Sequence, residues 1–314
     1  MSNRVHHIAR LLLTTAAVLV ASCASPTTDP SIGASPTPRD TAQPFPIARS
    51  TSDVASPTSY KGLALQLTDN GAPVVTAVDG VVGMVCVGMS NASQECADFI
   101  TRLRSEYASV VSPAVCVVNC AVGSHAIERW IDAQYDSVLW DDCIARKLPA
   151  AGVRLDQVRV LFHKAANQNT TAANGAPLPT YPAAGSDYEN FGRNLTSFSV
   201  RVKSAFPAVQ AVYTSSRSYG GFAGSSARGE PLSYEEGHAL NGWLRDHATV
   251  QGVWYGWGPY LWAPRCDTGV RNMGGTCYDR ADYVADGVHP STSGTAKVSA
   301  MLHARLLREA WYRR

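Results

Sequence analysis

The sequence predicts an α/β fold in which helices cover both faces of a mostly parallel sheet. From about residue 80 onward, short apolar runs alternate with longer segments of helical periodicity. Such runs are typical of strands buried on both faces, and the alternation is typical of a parallel sheet. Of the 314 residues, 45% are hydrophobic and 17% are charged, which is enough apolar material for a sizeable core.

The strands are predicted from runs of β-branched and other apolar residues between turn signals. The first run precedes a Gly-x-Ser sequence, and the fourth follows Pro207. The predicted strands cover 81–87, 114–119, 157–162, 209–214 and a fifth that starts at 252–255.

The helices are predicted from apolar positions spaced three or four residues apart. Asn91 or Ser93 can cap the first helix, and a loop rich in Asn, Ala and Pro over 167–186 separates the second helix from the third. The predicted helices cover 91–106, 125–147, 187–205, 234–247 and 292–311.

Residues 1–23 resemble the export signal of a bacterial lipoprotein. Arg4 and Arg10 precede an apolar stretch over 11–21 that is too short to span a bilayer comfortably. It ends in Val-Ala-Ser-Cys at Cys23, which resembles a lipobox; an ordinary signal peptide with an incidental cysteine is the alternative. We therefore expect export to a bacterial cell envelope with a lipid anchor at Cys23, or secretion if Cys23 is not lipidated.

Residues 24–57 are rich in Ser, Thr, Pro and Ala and predict a disordered tether, because they cannot bury enough apolar surface to fold. A single folded domain is expected over 58–314. The formal net charge is +2 without any Lys/Arg block, so nucleic-acid binding is not indicated.

Export makes disulfides plausible for the seven of eight cysteines that follow Cys23. Cys266 and Cys277 bracket a polar, Gly-rich loop and are predicted to pair. An odd number leaves at least one thiol free, and we assign it to Cys86 in the first strand. No second CxxC or His pair supports a zinc site, so no metal or cofactor is predicted. The pairing of the remaining cysteines stays open: Cys96, Cys116, Cys120 and Cys143.

Three polar or flexible positions follow the first three predicted strands. Ser90 stands at a helix start, where backbone N–H groups favour a developing oxyanion; a plain N-cap serine is the alternative. Gly123 lets a backbone N–H approach a ligand, or simply makes a turn with positive φ. Asn167 can donate a side-chain N–H to an oxyanion, or make a loop turn.

An Asp and a His three residues apart precede the last helix. His289 can act as a general base toward a serine, and Asp286 can orient its ring and stabilise the imidazolium. The alternative is a chain-turning Asp beside a surface His.

In this order and placement, these residues resemble the SGNH hydrolases, a superfamily of serine esterases on a flavodoxin-like three-layer α/β/α sandwich with a mostly parallel sheet. The resemblance covers about residues 80–312. Gly-Met-Ser-Asn around Ser90 looks like the Gly-x-Ser-Asn variant of the first block, which is seen in carbohydrate acetylesterases. Gly123 and Asn167 match the second and third blocks, and Asp286 and His289 match the last.

The resemblance implies that Ser90 is the nucleophile, His289 the base and Asp286 its partner. It also implies an oxyanion hole formed by the amides of Ser90 and Gly123 and the side chain of Asn167. The third block departs from the family pattern: Ala165 and Gln168 stand where Gly and Asp are usual, which leaves Asn169 as a rival for Asn167. Met89 replaces the Asp that is common before the serine.

Two further segments suggest how a substrate is held. Arg217 and Tyr219 follow the fourth strand; Arg217 can bind a polar or anionic group, or pair with a surface carboxylate. The aromatic segment 254–262 includes Trp257 and Tyr260, which can form a platform for sugar rings or pack in the core.

We expect a serine esterase that removes O-acetyl groups from a carbohydrate or glycoconjugate, with a small-ester or lipid esterase still open. A surface-anchored glycan-binding lipoprotein without turnover is one alternative, although a binder has no need of Ser90, His289 and Asp286 together. An O-acyltransferase of the same fold is the other, because sequence does not separate hydrolysis from transfer.

Overall fold

The computed structural model describes residues 65, 67–164, 166–168, 170–179, 181–272 and 274–314. The predicted export signal with Cys23, the tether over 24–57 and the rival residue Asn169 lie outside these residues. Within the described part, every helix is too short or too polar to cross a membrane.

Six strands form one sheet in the order β2-β1-β3-β4-β6-β5. All neighbours pair in parallel except the edge strand β5, which is antiparallel to β6. The five parallel strands follow the 2-1-3-4-5 order of flavodoxin-like folds, so the predicted fold class is confirmed. The additional β5 has only two residues, too few for a periodic signal. The strands are β1 (Val82–Gly88), β2 (Val115–Asn119), β3 (Val158–Lys164), β4 (Ala211–Ser215), β5 (Thr249–Val250) and β6 (Val253–Trp257).

Within the described residues, seven α-helical segments connect or flank the strands. They are α1 (Ser90–Arg104), α2 (Ile127–Ile131), α3 (Trp140–Asp142), α4 (Leu148–Ala150), α5 (Asp187–Ala205), α6 (Leu232–Asp246) and α7 (Thr292–Leu306). Short 3₁₀ helices cover Ala133–Val138, Leu155–Gln157, Ser226–Arg228, Cys266–Thr268 and Arg280–Asp282, and a short π-helix covers Cys143–Lys147.

The predicted single helix over 125–147 is wrong. The chain leaves the helix at Asp132, whose φ of −94° and ψ of 116° are extended. The Asp132 carboxylate accepts a hydrogen bond from the backbone N–H of Gln134 at 3.0 Å and so starts a separate 3₁₀ turn. The last helix is also shorter than predicted, because it ends at Leu306 rather than near 311.

The helices lie in two layers, one on each face of the sheet. Side chains of β1 alternate between the faces, as successive residues of a strand must. Met84 and Cys86 pack in the same cluster as Phe99 of α1 and Leu302 of α7. Val85 and Val87 pack on the other face with residues of α2, α5 and α6. The two clusters enclose the sheet and complete the α/β/α sandwich.

Three disulfides link described cysteines: Cys86–Cys96, Cys120–Cys143 and Cys266–Cys277. The predicted bridge between Cys266 and Cys277 is present. The assignment of Cys86 as a free thiol is wrong, and no described cysteine is free, because the seventh, Cys116, is also disulfide-bonded. Cys86 points to the sheet face that α1 covers, where Cys96 meets it. Burial in a strand therefore did not distinguish a thiol from a half-cystine.

Candidate active site

The turn between β1 and α1 places Ser90 at the carboxyl edge of the sheet. Gly88 has φ of 147°, and a Cβ there would lie 2.3 Å from the carbonyl oxygen of Lys164 and 2.8 Å from the Cβ of Ala92. Only glycine fits this turn. Met89 is the N-cap and Ser90 is the first residue of α1. The N-cap alternative for Ser90 is therefore excluded.

Ser90, His289 and Asp286 form a continuous hydrogen-bonded chain. The Oγ of Ser90 lies 2.8 Å from Nε2 of His289, and Nδ1 of the same ring lies 2.5 Å from Oδ2 of Asp286. With the proton on Nδ1, the ring donates to the carboxylate and its Nε2 lone pair faces the serine hydroxyl. This is the arrangement in which an imidazole can accept a proton from a serine.

Local backbone groups hold the Asp286 carboxylate in place. Its Oδ1 accepts hydrogen bonds from the backbone N–H groups of Val288 and His289 at 2.8 and 2.9 Å. Burial acts to raise the pKa of Asp286, but the hydrogen bonds from the His289 ring and from these two N–H groups lower it to about 2. Asp286 is therefore ionised at neutral pH and able to stabilise an imidazolium at position 289.

The loop that carries His289 is held by contacts with α1 and with the chain at Phe222. The side chain of Asn91, which follows the serine in α1, donates from Nδ2 to the carbonyl oxygen of Val288 at 2.9 Å. At Gly287, with φ of 68°, an added Cβ would lie 1.8 Å from the carbonyl oxygen of Phe222. The loop therefore packs without space for a side chain at 287.

Gly123 lies beside Ser90 in an exposed turn after β2. A Cβ added to Gly123 would be 3.8 Å from the Cβ of Ser90, which is ordinary contact. The positive φ in this turn belongs to the next residue, Ser124, at 63°. The turn interpretation of Gly123 as a positive-φ position is therefore wrong, and what places Gly123 at the site is its closeness to Ser90.

Asn167, after β3, is buried and lines the same cavity as Ser90 and His289. Its Nδ2 donates to Oδ1 of Asp187 at 2.9 Å, and its Oδ1 accepts from Nδ2 of Asn194 at 2.8 Å. Its backbone N–H donates to Oε1 of Glu236 at 2.7 Å. Asn167 is thus a fixed residue of the site wall rather than a loop turn.

The cavity above these residues has a volume of about 450 Å³, and its wall is about equally polar and apolar. Arg217 and Tyr219, both predicted to contact substrate, lie in that wall. Lys164 also reaches it, but its Nζ is paired with Oε1 of buried Glu95 at 2.5 Å. Hydroxyl and amide groups supply most of the remaining polar wall: Ser124, Gln168, Thr170, Thr171, Ser218 and Ser225.

The predicted aromatic platform does not line this cavity. Trp257 and Tyr260 are 3% and 8% exposed and pack edge-to-face in the core. The indole N–H of Trp257 donates to Oδ1 of Asn241 at 3.0 Å. The core-packing alternative therefore holds for both residues, and their predicted role in substrate binding is corrected. A run of aromatic residues after a strand is compatible with both a substrate platform and core packing, and only the direction of each side chain distinguishes the two.

Asp187, Asn194, Glu236 and Asn91 contact site residues but were not predicted from sequence. The first three lie on α5 and α6, far from β3 in the chain, and carry no motif. A buried pair of acidic residues at the starts of amphipathic helices is the only signal that could have found Asp187 and Glu236. Among the described residues, no group of three or more His, Cys, Asp or Glu side chains is arranged to hold a metal ion.

No protein-family model and no curated protein matches the chain. Solved structures similar to it include a lipase/acylhydrolase from Enterococcus faecalis, with 12% identity, a TM-score of 0.44, and 72% of this chain and 95% of that chain covered. A family 3 carbohydrate esterase from Clostridium thermocellum has 13% identity, a TM-score of 0.43, and 73% and 98% covered. At this level the likeness transfers neither activity nor substrate to this chain.

Proposed function

We propose that this protein is a serine esterase of the SGNH type that works through an acyl-enzyme. The observation that carries the proposal is the unbroken chain from Ser90 Oγ through the His289 ring to the Asp286 carboxylate. Nucleophile, base and orienting carboxylate within hydrogen-bond reach are the geometric requirement for this chemistry.

In the first half of the reaction, Ser90 Oγ attacks the ester carbonyl carbon while Nε2 of His289 takes the hydroxyl proton. The carbonyl oxygen becomes an oxyanion, for which the backbone N–H groups of Ser90 and Gly123 and the Nδ2 of Asn167 are the proposed donors. The tetrahedral intermediate collapses when the bond to the leaving alcohol oxygen breaks, and His289 gives that oxygen its proton.

In the second half, a water molecule attacks the acyl carbon and His289 takes one of its protons. The bond from the acyl carbon to Ser90 Oγ breaks, the serine regains its proton from His289, and the carboxylic acid leaves. Throughout, the ionised Asp286 stabilises the charge that His289 carries transiently.

We propose an O-acetylated carbohydrate or glycoconjugate as the substrate. The cavity wall beside Ser90 offers hydroxyls, amides and the Arg217 guanidinium, and these groups suit a hydroxyl-rich substrate better than an acyl chain of a lipid. Arg217 and Tyr219 are the proposed contacts to the sugar. The Gly-x-Ser-Asn sequence around Ser90, which resembles that of carbohydrate acetylesterases, supports the same class.

The test of the reaction is Ser90→Ala, assayed on an aryl acetate. We expect hydrolysis to fall by at least about 1,000-fold, because the nucleophile and its proton are removed together. Ser105→Ala is the matched control: it removes an exposed serine hydroxyl at the other end of α1. Equal rates in wild type and Ser90→Ala would end the proposal.

The substrate class is tested by acetate release from a panel of O-acetylated glycans, with aryl acetates and long-chain acyl esters for comparison. A higher kcat/KM on a glycan than on the long-chain esters is expected. Faster turnover of the long-chain esters would favour a lipid esterase. Acetyl transfer to an added sugar acceptor faster than acetate release would favour the O-acyltransferase, and binding of glycans without turnover would favour the surface binder.

We also propose that the protein acts outside the cytoplasm, at the cell envelope. Three disulfides among the described residues fit an oxidising compartment, and the leader and tether compositions fit export. If Cys23 is lipidated, Cys23→Ser will move the protein from the membrane fraction to the soluble fraction. Unchanged partitioning would remove the lipid anchor from the proposal.

A further inference from the structure

The side-chain amide of Asn167 is held at both of its ends by residues of α5. Asp187 accepts from Nδ2, and Asn194 donates to Oδ1. Because Oδ1 of Asp187 accepts, the proton of a neutral Asp187 is on Oδ2. A reversed Asn167 amide would then set its oxygen against the accepting Oδ1 of Asp187 and its Nδ2 against the donating Nδ2 of Asn194, so both hydrogen bonds would be lost. The two α5 residues therefore fix which way the amide faces.

The orientation of the Asn167 amide matters because its Nδ2 carries two N–H bonds, each of which can donate one hydrogen bond. One donates to Asp187, and the other has no acceptor among the described residues, on a residue that lines the same cavity as Ser90 and His289. Asp187 is 2% exposed and Asn167 is 4% exposed, so water does not compete strongly for these contacts. A hydrogen-bond donor that already faces the developing oxyanion stabilises it far more than a donor that must first reorient.

We propose that Asp187 is the positioning residue of the oxyanion hole: it holds the Asn167 amide with one N–H toward the substrate carbonyl, and it does so best as the neutral acid. This inference rests on the proposed esterase function. A carboxylate directly behind Nδ2 would place a negative charge near the oxyanion, whereas a carboxyl group accepts the same hydrogen bond without that charge.

The surroundings of Asp187 favour the neutral form. Its pKa is raised to about 7 in total. Burial raises this pKa most, the hydrogen bond from Asn167 lowers it, and the nearby carboxylates of Glu235 and Glu128 raise it. Arg217 and the positive end of α5 act in the opposite direction. The neighbouring carboxyl of Glu236, fully buried, has its own pKa raised well above the ordinary value, first by burial and then by Asp187.

Two substitutions at Asp187 separate positioning from folding. Asp187→Ala removes the acceptor, and we expect kcat on an aryl acetate to fall about 10- to 100-fold with KM changed by less than about threefold. Asp187→Asn keeps an acceptor oxygen and mimics the neutral acid, so kcat at pH 6 should stay within about threefold of wild type. Asn190→Ala is the matched control, because it lies one turn before Asn194 on α5 and does not touch Asn167.

The pH profile provides a result that a purely structural role would not give. The ratio of kcat in wild type to kcat in Asp187→Asn should decline as the pH rises through about 7, where Asp187 ionises, because the need for a neutral His289 is common to both proteins. Unchanged kcat in Asp187→Ala, or equal damage by both substitutions at pH 6, would overturn the positioning role. A ratio of the two kcat values that stays constant across pH 7 would overturn the role of the neutral acid. The proposed function fails separately, through Ser90→Ala.

Discussion

The disulfide Cys86–Cys96 joins the strand before Ser90 to the helix after it, and we expect it to hold the serine in register with His289. Removing it by Cys86→Ala with Cys96→Ala opens a loop with a sequence separation of 10. In the chain-entropy model this lowers the free energy of unfolding by about 2.7 kcal/mol. Alanine is preferred to serine, because both cysteines are at most 1% exposed and a hydroxyl would be buried there.

The loss of stability alone would leave activity almost intact, since a domain whose free energy of unfolding is 5 kcal/mol or more remains about 98% folded after this loss. The expected loss of kcat, on the order of tenfold, instead comes from displacement of Ser90 relative to Nε2 of His289, now 2.8 Å from its Oγ. Urea unfolding followed by tryptophan fluorescence measures the first effect, and aryl acetate hydrolysis measures the second.

Cys266→Ala with Cys277→Ala is a closely matched control. Its sequence separation of 11 gives a loop entropy within about 0.1 kcal/mol of the first pair, and neither cysteine lines the cavity. We expect both double variants to lose similar stability and only the first to lose kcat. Equal kcat in the two would show that the Cys86–Cys96 bridge stabilises the fold without aligning Ser90.

Three other variants test separate parts of the site and core. Asn167→Ala should lower kcat roughly 100-fold with little change in KM, whereas Asn174→Ala, in the exposed loop, should be neutral. Tyr260→Phe should leave hydrolysis unchanged and stabilise by roughly 1 kcal/mol, because the buried Tyr260 hydroxyl has no hydrogen-bond partner among the described residues. The folded-state pKa of Asp286, about 2, lies below its ordinary value, so its stabilisation is present above about pH 4 and is lost as the pH falls toward 2. The gap in urea midpoint between wild type and Asp286→Asn should therefore narrow from pH 5 to pH 2.5, and a constant gap would contradict this.

The order of the parallel strands and helices was predictable because each has a strong local pattern. The strand bounds shift by at most two residues, and the helix over Asp187–Ala205 has the predicted bounds. The failure over 125–147 has a local cause that periodicity does not report: Asp132 breaks the helix by bonding to Gln134. The edge strand β5 is defined by its partner, β6, and not by its own two residues.

The site residues that lie next to strand ends or in a short local motif could be predicted. Ser90 and the Asp286–His289 loop meet in the structure because each carries its signal locally, in a Gly-x-Ser turn or a short spacing. Trp257 and Tyr260 were misplaced, because an aromatic side chain at a strand end can turn toward the core or the cavity with equal local propensity. The contact of Asp187 with Asn167 could not be predicted, since it depends on how α5 packs against the loop after β3.

The sheet order explains why these distant segments meet at one point. β1 lies between β2 and β3, so the turns that carry Gly123 and Asn167 flank the turn that carries Ser90. The base, His289, is positioned by helix packing and not by strand pairing. Its loop leads into α7, which packs against α1 on one face of the sheet. Asp98 of α1 accepts a hydrogen bond from Ser299 of α7 at 2.6 Å. The distance between nucleophile and base is therefore set by how two helices pack, and the distance between nucleophile and oxyanion donors is set by strand pairing. Substitutions in the α1–α7 contact should alter proton transfer while leaving the oxyanion hole in place.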